Sequence, residues 1–227
     1  MDRSDKYRKL ESSFKILGMS AITMLSIVFV IMNSAIADER FGSPIQTLRT
    51  FVRAADKGDI STMRNCIDFR GVTPQVKQLI ECQVTAFALV SEFSQKLYKQ
   101  YPKECKQAMA NQKGPKDYKG VITASAILEL ILAKSKFKVQ KSPDGKTAKI
   151  VGKNIYCSDF IKIGESWKFD SCGLEMLDDP ELCEPLIKNA RMQIKQLRKG
   201  ISLIGQKGQT FKSITEFVDT PLPNFQK

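Results

Sequence analysis

Apolar positions recur at helical spacing in the first half of the chain and at alternate positions in a stretch of the second half. Ile45, Leu48, Val52 and Ala55, with Phe51 beside them, predict a first helix. Ser43 caps it, Pro44 occupies its first turn and Gly58 ends it. Asp59 caps a short second helix with Ile60, Met63 and Ile67 turned inward. Thr73-Pro74 opens a long third helix whose apolar stripe is Val76, Ile80, Val84, Phe87, Val90, Phe93 and Leu97. It ends before Tyr101-Pro102. Residues 102–120 read as a polar, lysine-rich connection, and 123–133 as a further helix or a strand.

From Lys136 the period changes to two. Phe137 and Val139 alternate with lysines, and Asp144-Gly145 predicts a two-residue hairpin turn. Strands follow at 147–151 and 155–163, and the last continues after Gly164-Glu165 as 166–171. Trp167 and Phe169 share one face, while Tyr156 and Phe160 share another alternation, assigned to the opposite face. Beyond Cys172 the helical period returns. Asp179-Pro180 starts a helix with Cys183, Leu186, Ile187, Ala190, Ile194 and Leu197 on one side, ended by Gly200. Ser213 to Glu216 reads as a capping box for a last short turn. The fold class is therefore α+β, with N-terminal helices packed on a curved antiparallel meander and extra helices at the C-terminus.

Residues 1–37 carry a different pattern. Arg3, Lys6, Arg8, Lys9 and Lys15 precede an apolar run from Ile16 to Met32, and Ala35-Ile36-Ala37 has the small-x-small form of a cleavage site. A secretory signal peptide is expected, with an uncleaved membrane anchor as the alternative. Cleavage after Ala37 would leave a mature chain of 38–227, exported to the periplasm or the extracellular side of a bacterial envelope. In that compartment Cys66, Cys82, Cys105, Cys157, Cys172 and Cys183 are candidate disulfide cysteines. Cys172 with Cys183 would close the shortest loop, and buried free thiols are the alternative. Zinc is disfavoured, since the chain has no C-x-x-C pair and no histidine.

The missing histidine also removes every Ser-His-Asp, Cys-His and His-metal mechanism. Asp68, Glu129, Asp159 and Asp170 are acids flanked by apolar residues, surroundings that can raise a carboxylate's pKa. Each reads more simply as a solvated or capping carboxylate, so no catalytic residue is assigned and no cofactor is expected. Charge is uneven as well. The chain carries 36 Lys+Arg against 24 Asp+Glu. Between Lys96 and Lys153 stand fourteen lysines, no arginine and only Glu104, Asp117, Glu129 and Asp144. Lys113, Lys116 and Lys119 form a candidate anion-binding face for an envelope polymer. A run of lysines without arginine suits diffuse attraction better than bidentate readout, and nucleic acid is not an expected partner. The bland reading of the same run is a solubilising surface.

The opening Ser43-Pro44, the step Ala55-Asp56-Lys57-Gly58-Asp59 and the closing Gly164-Glu165-Ser166-Trp167-Lys168-Phe169-Asp170 resemble the small exported members of the nuclear transport factor 2-like superfamily, also called cystatin-like. The resemblance covers residues 43–171. It implies a domain over 38–171, a sheet wrapped around the long helix, and a cone-shaped pocket that Phe51, Trp167 and Phe169 could line. The bland reading of those three rings is a packed core. It also implies that homodimers form across the sheet. Residues 172–227 lie outside it as a helical extension, and the stretch from Tyr101 to Lys136 is longer than the family pattern. Enzymes of the superfamily use acids or an Asp–His pair, and the latter has no counterpart here. Two functions follow as expectations: a non-catalytic module binding a small apolar ligand or a protein through its sheet or pocket, or an acid-dependent isomerase, dehydratase or cyclase.

Overall fold

The computed structural model describes residues 40–111, 125, 128, 129, 132, 137–152, 155–171 and 180–219. The expected signal segment 1–37 lies outside them. Among them are six named helices and one sheet: α1 (Pro44–Asp56), α2 (Ile60–Asn65), α3 (Pro74–Gln100), α4 (Pro102–Asn111), β1 (Lys138–Lys141), β2 (Thr147–Gly152), β3 (Ile155–Ile163), β4 (Ser166–Phe169), α5 (Pro180–Leu203) and α6 (Phe211–Asp219). The four strands form an antiparallel meander in the order β1-β2-β3-β4. Helices precede and follow it, so the α+β arrangement is the observed one.

Local chemistry explains the helix starts. Ser43 accepts a hydrogen bond from the Gln46 N–H at 3.2 Å, Asp59 from Thr62 at 3.0 Å, and Thr73 from Val76 at 3.4 Å. Between α1 and α2 the chain reverses at Gly58, whose φ of 67° lies in the left-handed region. α4 occupies part of the stretch expected to be a connection. Pro102 stands in its first turn, and Cys105 packs against the core formed by α3, α5 and α6.

Four clusters make the interior. The sheet's inner face packs Ala148, Ile150, Phe160 and Trp167 against Leu48 and Val52 of α1 and against Leu128 and Leu132. A second cluster joins α1, α2 and α3 through Ala55, Met63, Ile80 and Val84. On its other side α3 meets α5: Leu79 and Cys82 pack with Cys183, Leu186 and Ile187, while Phe93 and Leu97 pack with Leu197 and, from α6, Ile214. The two helices therefore run parallel, N-terminal half against N-terminal half. The single stripe expected on α3 is in fact divided. Val76, Ile80, Val84 and Phe87 face the inner cores, and Val90, Phe93 and Leu97 face the C-terminal helices. In consequence the helix lying directly on the sheet is α1, and α3 reaches the sheet's core through Phe87.

Several expected boundaries move. Gly200 is inside α5, which continues to Leu203, because α6 crosses where a side chain would stand. Thr210 rather than Ser213 caps α6: each accepts from the other's N–H, at 3.0 and 3.1 Å. The β1–β2 connection has five residues, 142–146, closed by Ser142 N–H donating to the Thr147 carbonyl at 2.9 Å, with Gly145 at φ 67°. Between β2 and β3 the register passes from Lys149–Asp159 to Val151–Tyr156, so β3 holds one extra residue there. That bulge breaks the alternation expected from Tyr156 to Phe160. Phe160 pairs with buried Ala148 and lies on the face of Trp167 and Phe169, whereas Tyr156 pairs with Val151, which is 42% exposed.

Candidate binding surface of the sheet

The three aromatic residues expected to line a pocket lie within the packed interior of the fold. Phe51 meets Phe169 edge-on with centroids 5.3 Å apart, and Phe87 at 5.5 Å. Phe169 in turn lies 4.8 Å from Phe160, and Trp167 is buried in the same core. Each ring is filling the space beside another.

The outer face follows from the register. Lys138 and Gln140 of β1, Thr147, Lys149 and Val151 of β2, Asp159 and Ile161 of β3, and Lys168 of β4 share it. Lys138, Lys149 and Val151 are exposed, and Ile161 and Lys168 are half-buried. Its acid, Asp159, lies 3.2 Å from Lys149 across the β2–β3 pair. On this face the Lys149–Asp159 pair stands between Val151 at one end of β2 and Ile161, beside Thr147, at the other. Lys113, Lys116 and Lys119 lie outside the described residues, so the positive surface seen here is one that alternation on the strands supplies.

The sheet's two edges differ. All the outward groups of β4 are taken. Trp167 N–H donates to the Phe41 carbonyl at 2.8 Å, and the Trp167 carbonyl accepts from the buried Thr47 hydroxyl at 2.7 Å. Phe169 N–H donates to the Cys66 carbonyl at 2.8 Å, and the Phe169 carbonyl accepts from Asp68 N–H at 2.9 Å. The segment after α2 thereby lies beside β4 as a parallel bridge at Ile67. Ser171 Oγ ties the same segment down by donating to the Asp68 carbonyl.

Two of the flanking acids, Asp68 and Glu129, are paired with arginines. Asp68 is 4% exposed, and its carboxylate accepts from Arg70 Nε at 2.9 and 3.1 Å and from Arg70 Nη2 at 2.9 Å. The Arg70 hydrogen bonds hold it below the usual carboxylate range, against the opposing effect of burial. A general acid needs the opposite shift. Glu129 accepts from Arg49 Nε at 3.1 Å, with Arg53 at 3.9 Å. This pairing of α1 with the 128–132 segment escaped the sequence reading, because nothing local links residues so far apart. Asp170 follows β4 and donates its N–H to the Asp159 carbonyl at 2.8 Å. Among the described residues no group of three or more Cys, Asp or Glu is placed to hold a metal ion.

Cys66 is fully buried, and burial pushes its thiol up to about 12 despite the pull of Lys168. Cys105 is pushed up to about 11 for the same reason. Cys66, Cys82 and Cys105 form no disulfide in this structure. Cys183 is buried beside Cys82 in the α3–α5 core. Cys172 lies outside the described residues, and of Cys157 only its place in β3 is described.

Among the described residues no helix is long and apolar enough to cross a membrane. No family model, no curated protein and no solved structure matches this chain.

Proposed function

We propose that the protein is a non-catalytic binding module, acting after export, that holds an anionic partner on the outer face of its sheet. The observation carrying this reading is the contrast between the two faces. The inner face is filled by ring-to-ring packing, while the outer one presents Lys138, Lys149 and Lys168 with a single acid, Asp159, beside Lys149. Lysines spread over one face of a sheet draw an anionic partner by long-range attraction. The enzyme reading loses support because Asp68 is shifted away from acid catalysis and Glu129 is committed to arginines.

Retention on an anionic polymer resin tests the proposal. The double variant Lys138→Glu, Lys149→Glu should elute at lower salt than Lys195→Glu, Lys199→Glu, which changes net charge equally on exposed positions of α5. Equal elution of the two variants would mean that net charge alone governs retention, and the sheet site would be abandoned.

A further inference from the structure

Within that reading, we infer that β1 is the docking edge for an extended acidic segment of a partner protein, which joins the sheet as a fifth, neighbouring strand. Ser142 N–H donates to the Thr147 carbonyl, and the register continues through Gln140–Lys149 and Lys138–Val151. Narrow pairs alternate along an antiparallel ladder, so Lys138 and Gln140 spend their backbone groups on β2. The N–H and C=O groups of Val139 and Lys141 point the other way. Among the described residues these four groups meet no hydrogen-bond partner, whereas the four equivalent groups of β4 are all satisfied.

The side chains of β1 define what would fit. Lys138 and Gln140 stand on the outer face, while Val139 and Lys141 stand on the inner one, Val139 packing half-buried against the core. An added strand would set carboxylates beside Lys138 and Lys141, an aliphatic side chain beside Val139 and a polar one beside Gln140. The same lysines repel a second copy of this edge, so they select an acidic strand rather than self-pairing.

Lys141 supplies the reporter. Its ammonium lies 5.6 Å from the centroid of Trp167, the chain's single tryptophan. The full chain is titrated with a capped peptide Ser-Glu-Val-Thr-Glu-Ser, with its lysine counterpart Ser-Lys-Val-Thr-Lys-Ser, and with an N-methylated acidic version that cannot donate to the edge. A saturable change in tryptophan fluorescence is expected with the acidic peptide alone. Val139→Ala should retain that response, Val139→Pro should lose it, and Lys138→Glu with Lys141→Glu should shift the preference to the lysine peptide. Absence of any saturable response to the acidic peptide overturns the inference. So does equal binding of the N-methylated peptide, a result that is independent of whether Val139→Pro folds. Polymer retention that survives either failure would leave the charged face standing and remove only the strand.

Discussion

Gly200 of α5 lies directly beneath Val218 of α6: a β-carbon on the glycine would overlap the valine Cγ2 and come 3.3 Å from the Phe93 ring of α3. Three helices meet at this point, and the missing side chain is what lets them approach.

Gly200→Ala should therefore destabilise the protein although alanine is the better helix former. Overpacking costs about 1–3 kcal/mol, and the propensity gain returns no more than about 1 kcal/mol. Urea unfolding of Gly200→Ala, Val218→Ala and the double variant checks it. The double variant should be more stable than the sum of the single losses predicts, because Val218→Ala opens the space that the methyl group of Gly200→Ala fills.

The Asp68–Arg70 pair sets an acid dependence. Asp68 in the folded protein holds its charge to lower pH than it would in the unfolded chain. Its contribution is complete above the ordinary carboxylate value of about 3.9 and disappears as pH falls through the lower folded value. Arg70→Ala should raise the midpoint of acid unfolding by roughly a few tenths of a pH unit, followed by far-ultraviolet circular dichroism. The effect is small because the Arg70 side chain is 62% exposed and water screens it. An unchanged acid midpoint would show that Arg70 contributes nothing to the charge on Asp68.

The buried thiols set an alkaline one. Cys66 must remain neutral in the fold, with its thiol near 12. Its contribution is complete below the free thiol value of about 8.5 and is lost as pH rises toward the folded value. Cys66→Ala should lower stability near neutral pH and flatten the decline above about pH 9 relative to the parent. Burial keeps Cys66 and Cys105 protonated well above neutral pH, so native alkylation should reach half-exposed Cys82 well before either of them. Mapping the alkylated peptides by mass decides the order. Modification of Cys66 first would contradict its burial.

The chain's local chemistry was enough to place most elements. Ser43, Asp59 and Thr73 cap helices where a hydroxyl or carboxylate precedes an apolar period, since a cap depends on residues two or three positions away. The period-two stretch after Lys136 likewise became the meander. Alternation failed where an extra residue entered β3, because a bulge is decided by how two strands fit and not by either alone. Only the tertiary structure decided that the α3 stripe serves two cores, that Gly200 admits a crossing helix instead of ending one, and that Glu129 meets Arg49. The candidate site was legible in part: the strand lysines were visible, but their common face needed the register. The contrast between a closed β4 edge and a β1 edge that no other described residue pairs was invisible to the sequence, because it depends on where Phe41, Thr47, Cys66 and Asp68 come to rest in space. Caps and periods act over a few residues and can be read along the chain; registers, edges and helix crossings join separate elements, and packing alone sets them.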